Sequence, residues 1–432
     1  MILRQMKDSG IQWLKEIPSS WKLKKIKYTL KERIEKNNPI RTSDILSLTA
    51  KQGVIPYDEK EGGGNKPKED VSAYRLAYPG DIVMNSMNIL SGSVGLSRYF
   101  GCVSPVYYML RPYSNEDDVR YFNYIFQTTV FQKSLFGLGN GILIKESGNG
   151  KLNTIRMRIP MDKFGDLVVP VATAYEQRII SDILDAKCAE IDSLAVDIQS
   201  QIDTLEQYKR SIITEAVTKG LNPAVEMKES RIFYIGPVNA TWRLTKIGYI
   251  CTKLSRYFEA EDTALVCSNQ GKVLIRDADA VGKMVSEDNA MQGIHEGDIA
   301  IHGMDTWHGA IAISDFKGKI TRVVHVCDST ADKRFIVYYL QHLAFQGVYK
   351  LISNGVRGNT SDFRSWDKVK DIYINLPTTN EEQTSICDYL DEACRKAEEI
   401  IYKKREQLVV LEEYKKSLIY EYVTGKKEVP AQ

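Results

Sequence analysis

The chain has 432 residues, of which 43% are hydrophobic and 26% charged, and its formal net charge is +2. This length is sufficient for two or three domains with their own cores. The balanced charge excludes a globally basic chain, so any contact with nucleic acid must come from local basic patches. No run of 18 apolar residues is present, which excludes a membrane-spanning helix.

The seven cysteines are scattered along the sequence and are never spaced as CxxC. This pattern favours reduced thiols in a cytoplasmic protein and argues against a structural zinc site. Residues 1–20 lack the apolar core of a signal peptide. We interpret them as a leader that packs on the first domain.

Residues 21–172 are predicted to form a first globular domain. Short β-type runs such as 82–84 and 103–110 are separated by turn residues and interrupted by one helical run at 119–135. The dipeptide Gly80-Asp81 marks a turn into a strand. The segment closes with a Gly-rich loop, a strand-like run and Pro170.

Residues 173–220 are predicted to form one long helix, because the stretch has no proline and no glycine before Gly220. Its length of about 45 residues corresponds to roughly 65–70 Å. A single narrow apolar stripe on so long a helix predicts a second long helix beside it. The stripe consists of Ile180, Ile183, Leu184, Ile191, Leu194, Ile198, Ile202, Leu205, Tyr208, Ile212 and Ala216.

The second half of the chain repeats the first. A linker at 221–241 is followed by a predicted globular domain at 242–376, a long helix at 377–425 and a tail at 426–432. The two long helices align without a gap at an offset of 206 (383 minus 177), and the register includes polar identities such as Glu-Gln at 176–177 and 382–383. The sequence therefore indicates a tandem duplication.

The globular segments share only short motifs. Trp21–Tyr28 matches Trp242–Tyr249, each follows a proline (Pro18 and Pro237), and Gly80-Asp81 matches Gly297-Asp298. Helices that stay alike while globular parts diverge suggest a common task for the helices and a particular task for each globular domain.

The opening GIQWLKEIPSSWKLKKI, the Gly-Asp strand entries, the proline-then-Glu-Gln helix starts, the duplication and the length resemble the specificity subunit of type I restriction-modification systems. The resemblance covers essentially the whole chain. It implies a mixed α/β (α+β) fold with two strand-rich target recognition domains in tandem pseudo-repeat, joined by two long antiparallel coiled-coil helices. Each domain would read one half of a bipartite, asymmetric DNA site.

The resemblance also implies partners. The helices would form a spacer and hold two adenine methyltransferase subunits, through which restriction/translocase subunits would join. S-adenosylmethionine, ATP and magnesium would be bound by those partners, with no cofactor on this chain. Arginine and lysine side chains on long helices usually form a solvated face, and only the resemblance makes a partner-binding role plausible. The residues considered for it are Tyr208, Lys209, Arg210, Tyr414 and Lys415.

Readout of double-stranded DNA requires amide, basic or imidazole side chains at base edges and basic or hydroxyl groups at phosphates. In the first domain the candidate contacts are Lys66, Lys68, Asn85, Asn88, Arg98, Asn140, Lys145, Asn149 and Lys151. In the second domain they are His302, His308, Arg357, Asn359 and Arg364. Each residue could equally belong to an ordinary solvated loop.

Other chemistry lacks support in the sequence. His302 and His308 with Cys327 or Asp305 have no close ligand spacing, so core or DNA-contacting histidines are favoured over a metal site. Neither a phosphate-binding loop nor an amino-methyltransferase motif is present. We therefore expect a non-catalytic chain. A coiled-coil scaffold without DNA contact and a stand-alone DNA-modifying enzyme remain the alternatives.

Overall fold

The computed structural model of the chain describes residues 4–49, 52–60, 67–139, 145–146, 152–153, 158–276, 290–353 and 362–429. The chain divides into two compact units. The first unit consists of Met1–Asp197 and Gln407–Gln432, and the second unit is Ile198–Glu406. The boundaries fall inside the two longest of the described helices, so each unit combines small sheets with a segment of both.

The first unit combines short strands and short helices with the first part of a long helix. Its described strands are β1 Met6–Asp8, β2 Glu16–Pro18, β3 Lys22–Lys25, β4 Leu30–Arg33, β5 Leu46–Thr49, β6 Gly53–Pro56, β7 Arg75–Ala77, β8 Ile82–Asn85, β9 Val94–Leu96, β10 Gly101–Val103, β11 Tyr107–Pro112, β12 Lys145–Glu146, β13 Leu152–Asn153 and β14 Val168–Val171. Its helices are α1 Val119–Gln127, α2 Thr129–Ser134, α3 Met161–Gly165 and α4 Ala174–Lys219, which continues into the second unit.

The second unit follows the same plan. Its described strands are β15 Met227–Ile232, β16 Ile235–Asn239, β17 Arg243–Lys246, β18 Cys251–Lys253, β19 Leu265–Cys267, β20 Val273–Ile275, β21 Met291–Ile294, β22 Ile299–His302, β23 Ile311–Ile313, β24 Gly318–Thr321, β25 Val324–Ser329 and β26 Tyr373–Leu376. Its helices are α5 Ile247–Ile250, α6 Lys333–Phe345, α7 Val348–Ile352, α8 Trp366–Lys370 and α9 Asn380–Val423, which continues into the first unit.

A four-stranded antiparallel sheet lies in each unit. The strand order is β4-β11-β8-β9 in the first unit and β18-β25-β22-β23 in the second. Buried apolar residues of β8 and β22 pack into cores that also contain residues of α1 and α6. The predicted strand entries at Gly80-Asp81 and Gly297-Asp298 lead directly into β8 and β22, with the two glycines at φ 86° and 80°.

Capping interactions explain where the long helices begin and end. The Thr173 hydroxyl accepts a hydrogen bond from the Glu176 amide (3.2 Å), and the Glu176 carboxylate accepts one from the Thr173 amide (3.2 Å). This reciprocal arrangement is a capping box. At the other end, Gly220 has φ 89°, a conformation that favours glycine and ends α4. Gly425 (φ 71°) follows α9 in the same way.

In each unit an α4 segment runs antiparallel to an α9 segment. In the first unit, Leu184 is fully buried in a core formed by apolar residues of α4 at 180–191 and of α9 at 418–423. Lys415 bridges to Asp192 (2.6 Å) in the same unit.

The second unit shows the same direction of pairing. Lys209 bridges to Glu398 (2.8 Å), and the Lys404 ammonium donates to the Gln201 carboxamide. Rising residue numbers in α4 therefore meet falling numbers in α9. The predicted mixed α/β fold with long antiparallel helices is confirmed.

The segment predicted as a linker, 221–241, contains the β15–β16 hairpin, and this hairpin is a second copy of the leader hairpin β1–β2. Met6 pairs with Pro18 in the leader, and Met227 pairs with Asn239 in the second copy. The two hairpins share the sequence Met-Lys-acid-Ser at 6–9 and 227–230. Asn239, rather than Pro237, is therefore the counterpart of Pro18, which explains the unequal spacing of the two prolines from the tryptophans that follow.

Candidate nucleic-acid interface

The start of each long helix is joined to its globular part by the same side-chain contacts. The Trp21 indole N–H donates to Glu176 (3.0 Å), and the Trp242 indole N–H donates to Glu382 (2.9 Å). Both indole rings are almost fully buried. An acceptor for a buried indole N–H removes the cost of burying a polar group, so these pairs fix each strand-rich part on its helix.

The following residue of each helix makes a second joint. The Gln177 carboxamide accepts from the Asp118 amide (2.9 Å), and the Gln383 carboxamide accepts from the Asp332 amide (2.9 Å). Asp118 and Asp332 are the N-caps of α1 and α6. The Glu-Gln pair that both helices share is thus retained at the contact between helix and globular part.

A buried carboxylate holds the entry of the central strand in each unit. Asp81 accepts two hydrogen bonds from Arg33 (2.8 and 3.1 Å), and Asp298 accepts two from Arg256 (3.1 and 2.9 Å). The hydrogen bonds with Asp81 raise the pKa of Arg33, and those with Asp298 raise the pKa of Arg256. A bidentate ion pair therefore fixes the start of β8 and of β22.

The turn between β8 and β9 (residues 86–93) contains the predicted DNA contact Asn88. A second predicted contact, Asn85, directly precedes this turn. Asn85 is buried at the end of β8, and its side-chain oxygen accepts from the Met87 amide (3.0 Å). Asn88 is exposed, and its side chain makes no hydrogen bond within the described part of the chain. Asn85 thus shapes the turn, and Asn88 presents its carboxamide at the surface.

The turn between β22 and β23 (residues 303–310) is the counterpart in the second unit, at an offset of 217 (302 minus 85). His302 stands where the first unit has Asn85, and its Nδ1 accepts from the Asp305 amide (3.1 Å). Burial lowers the pKa of His302 although Asp305 acts in the opposite direction. The Asp305 carboxylate lies 3.2 Å from the same Nδ1, and His308, on the same turn, is exposed.

The chain returns to the sheet beside each turn, directly after a predicted DNA-binding loop. The Ile159 amide donates to the Ser86 carbonyl (3.0 Å), and the Phe363 amide donates to the Gly303 carbonyl (2.9 Å). The side chains of Tyr108 and His325, at equivalent sheet positions, bond the carbonyls of these two returning residues (3.0 and 2.7 Å). Each turn therefore lies at the base of the loop predicted to approach DNA.

Three further predicted DNA contacts, Arg364, Lys68 and Arg98, lie in the described residues. Arg364 is exposed, and its guanidinium contacts the Met304 sulfur (3.1 Å) on the β22–β23 turn. Lys68 is exposed, and its amide donates to the Tyr74 hydroxyl (3.1 Å). Arg98 is exposed after β9, at the end of the hairpin opposite to the β8–β9 turn. Arg364 is therefore brought to the turn, whereas Arg98 is not.

Several predicted contacts have no described side chain. Lys145 lies in β12, of which only the backbone is described. The predicted contacts outside the described residues are Lys66, Asn140, Asn149, Lys151, Arg357 and Asn359.

Similarity to known proteins extends along almost the whole chain. The chain is 22% identical over 442 residues to a putative type I restriction enzyme MjaX specificity subunit from Methanocaldococcus jannaschii, and the match covers 95% of this chain and 94% of the relative. A chain from a structure on complex assembly and conformational transition of the type I R-M system has a TM-score of 0.64 at 11% identity, covering 95% of this chain and 99% of that one. The resemblance to the type I specificity subunits is confirmed.

The HsdS subunit from Thermoanaerobacter tengcongensis is a further similar structure, with a TM-score of 0.45 at 12% identity, covering 95% of this chain and 98% of that one. No protein-family model matches the chain.

The two long helices α4 and α9 carry the residues predicted to bind partners. Tyr208 and Tyr414 are about half exposed (52% and 50%). Lys209 and Lys415 are bound in ion pairs within the helix pairs. Arg210 is exposed and lies over the ring of a phenylalanine in α6 (5.4 Å). The two tyrosines and Arg210 are therefore the accessible members of the set.

The described ranges contain no cluster of three or more His, Cys, Asp or Glu side chains that could hold a metal ion. All seven cysteines are buried thiols. Burial raises the pKa of several of them, to about 11 for Cys251 and Cys394. Among the described helices, none combines the length and apolarity needed to cross a bilayer.

Two features of this fold were not predicted from the sequence. One is the equivalence of the turns at 86–93 and 303–310, which adds Ser91 and Asp305 to the candidate contacts, and the other is the repeat of the leader hairpin. The signal for the turns was present: aligning Gly80-Asp81 with Gly297-Asp298 also aligns Asn-Ser-Met-Asn at 85–88 with His-Gly-Met-Asp at 302–305.

Proposed function

We propose that the chain is the DNA-recognition subunit of a type I restriction-modification complex. The observation that carries this proposal is the tandem repeat of a strand-rich part joined to a long helix by identical contacts, in a chain similar to a specificity subunit along 95% of its length. The repeated joints support two recognition domains of one design, and their divergent surfaces support two different targets.

Each recognition domain reads one half of a bipartite, asymmetric DNA site. The turns at 86–93 and 303–310, together with the loops beside them, contact the bases, and lysine and arginine side chains on these loops contact phosphates. The predicted contacts on or beside the described turns support this assignment by their position at the base of the loops; they are Asn88, His302, His308 and Arg364. Lys68 and Arg98 are proposed as phosphate contacts.

The paired helices set the spacer between the two half-sites. Inserting seven residues at matched positions of both helices would add about 10 Å of helix, which corresponds to about three base pairs of duplex. We expect the spacer in the recognised site to lengthen by that amount. A variant that folds, supports DNA methylation and keeps the original spacer would refute the idea that the helices act as a ruler.

The partners follow from the same proposal. Two copies of an adenine methyltransferase subunit bind the pseudo-symmetric helix pair, and restriction/translocase subunits join through them. S-adenosylmethionine, ATP and magnesium are bound by these partners, and this chain is a non-catalytic component of a cytoplasmic complex. The accessible Tyr208, Arg210 and Tyr414 are the proposed contacts on the helices.

The decisive experiment is genome-wide mapping of N6-methyladenine in cells with and without this chain, both expressing its methyltransferase partner. We expect methylation at one split, asymmetric motif to disappear without the chain. An unchanged map with an active partner would favour a coiled-coil scaffold without DNA contact. Methylation of DNA by the purified chain alone would favour a stand-alone enzyme.

A further inference from the structure

The two turns at 86–93 and 303–310 share a backbone hydrogen-bond pattern. In the first, the Asn88 carbonyl accepts from the amides of Ser91 (3.0 Å) and Ser93 (3.2 Å). In the second, the Asp305 carbonyl accepts from the amides of His308 (3.0 Å) and Ala310 (3.3 Å). Each turn is therefore held by the same internal hydrogen bonds.

A left-handed glycine closes both turns, at φ 82° for Gly92 and 79° for Gly309. The inner side of each turn is anchored in the core of its unit, where Ile89 and Thr306 are each 1% exposed. Because residues other than glycine rarely adopt this backbone conformation, the turn geometry is fixed independently of the residues on its outer side.

The outer sides of the turns differ. The first presents Asn88 and Ser91, both exposed, and the second presents His308, exposed, and Asp305, half-buried. Asn88, Ser91 and His308 make no side-chain hydrogen bonds within the described residues. The two turns have the same backbone geometry but carry different polar side chains. Any difference in what the two turns bind must therefore come from these side chains.

We propose that the outer side chains of these two turns are specificity-determining residues, with Asn88 and Ser91 reading bases of one half-site and Asp305 and His308 reading bases of the other. This inference rests on the proposed function. An asparagine carboxamide matches the donor and acceptor of adenine, and an aspartate accepts from the cytosine amino group. The turns therefore read different bases from equivalent positions.

The test uses the complex of the chain with its methyltransferase partner and a pool of duplexes randomised in both half-sites. Asn88→Ala and His308→Ala each remove an exposed side chain that makes no hydrogen bond within the described residues, so folding should not change. We expect each variant to lose discrimination by about 5- to 150-fold at one or two base positions of a single half-site. The other half-site should keep its preference and serves as an internal reference.

A paired exchange makes the test more specific. Asp305→Asn combined with His308→Ser gives the second turn the outer residues of the first, and we expect the second half-site to acquire a base preferred in the first. Asp315→Asn is the matched control, because it makes the same change on an exposed carboxylate at the opposite end of the same hairpin.

The outcomes separate this inference from the proposed function. If the parent complex selects no bipartite site, the proposed function fails. If the parent selects one and the turn variants keep every base preference, or weaken binding equally for all sequences as phosphate contacts do, the assignment of base reading to the turns is wrong.

Discussion

The buried carboxamide of Gln177 offers a quantitative test of how each globular part is held on its helix. The side chain is fully buried, and besides accepting from the Asp118 amide it donates to the Ala172 carbonyl (2.9 Å) and to the Asp117 carboxylate (2.9 Å). Gln177→Ala removes all three bonds and leaves the Asp118 N–H and the Ala172 carbonyl without these partners.

Each buried polar group left unpaired costs about 1–3 kcal/mol, so Gln177→Ala should lower the free energy of unfolding by about 2–5 kcal/mol. The higher helix propensity of alanine offsets only a few tenths of a kcal/mol. Gln383→Ala should cost about 1 kcal/mol less, since the Gln383 side chain makes two such bonds, to the Asp332 amide and the Pro377 carbonyl.

Urea unfolding followed by circular dichroism measures these changes. Hydrogen exchange should also become faster in α1 for Gln177→Ala and in α6 for Gln383→Ala. The control is Gln199→Ala, on the exposed face of α4, where the side chain bonds Asp203 one turn along the same helix, and its effect should stay within about 0.5 kcal/mol. If Gln177→Ala costs no more than this control, the joint does not hold the globular part.

Three further predictions concern stability. Arg231 has φ 60° at the position equivalent to Gly10 (φ 65°), so Arg231→Gly should stabilise the chain and Gly10→Ala destabilise it, each by about 1 kcal/mol in urea unfolding; no difference would show that the backbone is unstrained. Asp298→Ala should cost about 2–4 kcal/mol, because it leaves Arg256 without its carboxylate, and an unchanged urea midpoint would contradict this. Burial lowers the pKa of His342 to about 4; the stability held by the neutral ring, up to about 3 kcal/mol, is complete above pH ~6.5 and is lost as the pH falls towards 4. The melting temperature should therefore drop less between pH 7.5 and 5 in His342→Gln than in the parent, and parallel drops would refute the assignment.

The bounds of the two long helices could be predicted from the sequence to within three residues at each end. The prediction of one helix at 173–220 compares with Ala174–Lys219 in the structure. Helices of this length depend on local signals: a three-and-four apolar period, a Thr-x-x-Glu start and a terminal glycine. A narrow stripe on a duplicated helix predicted a long partner helix, whereas the antiparallel direction was implied only by the resemblance to the specificity subunits.

The sequence-based prediction missed the second copy of the leader hairpin, because its four-residue motif is less conspicuous than the two prolines. Pro18 and Pro237 look equivalent in the sequence because each precedes a Trp-containing motif. Strand pairing instead makes Asn239 the counterpart of Pro18. The repeated sequence Met-Lys-acid-Ser at 6–9 and 227–230 indicates that the leader occurs twice. This repeat predicts a hairpin within residues 221–241 in place of a linker. Proline position alone was misleading because proline tolerates several places at strand ends.

The candidate DNA contacts could be predicted only as residue types on loops. Asn85 and Asn88 look equivalent in sequence, but burial and an internal hydrogen bond give Asn85 a structural role, whereas Asn88 is exposed. Which side chain points outwards is decided by the turn geometry and by the core beneath it, and neither follows from spacing.

The pattern of identity between the two halves has a physical cause. The residues that both halves retain, Trp21 and Trp242 with the Glu-Gln pairs, make the contacts between helix and globular part. These contacts are buried, so a change in one partner leaves the other unpaired at a cost in stability. The exposed outer residues of the turns make no side-chain hydrogen bonds within the described residues, so they can change with little loss of stability. Similarity between the halves therefore marks the joints, and difference between them marks the surfaces that we propose read the two DNA half-sites.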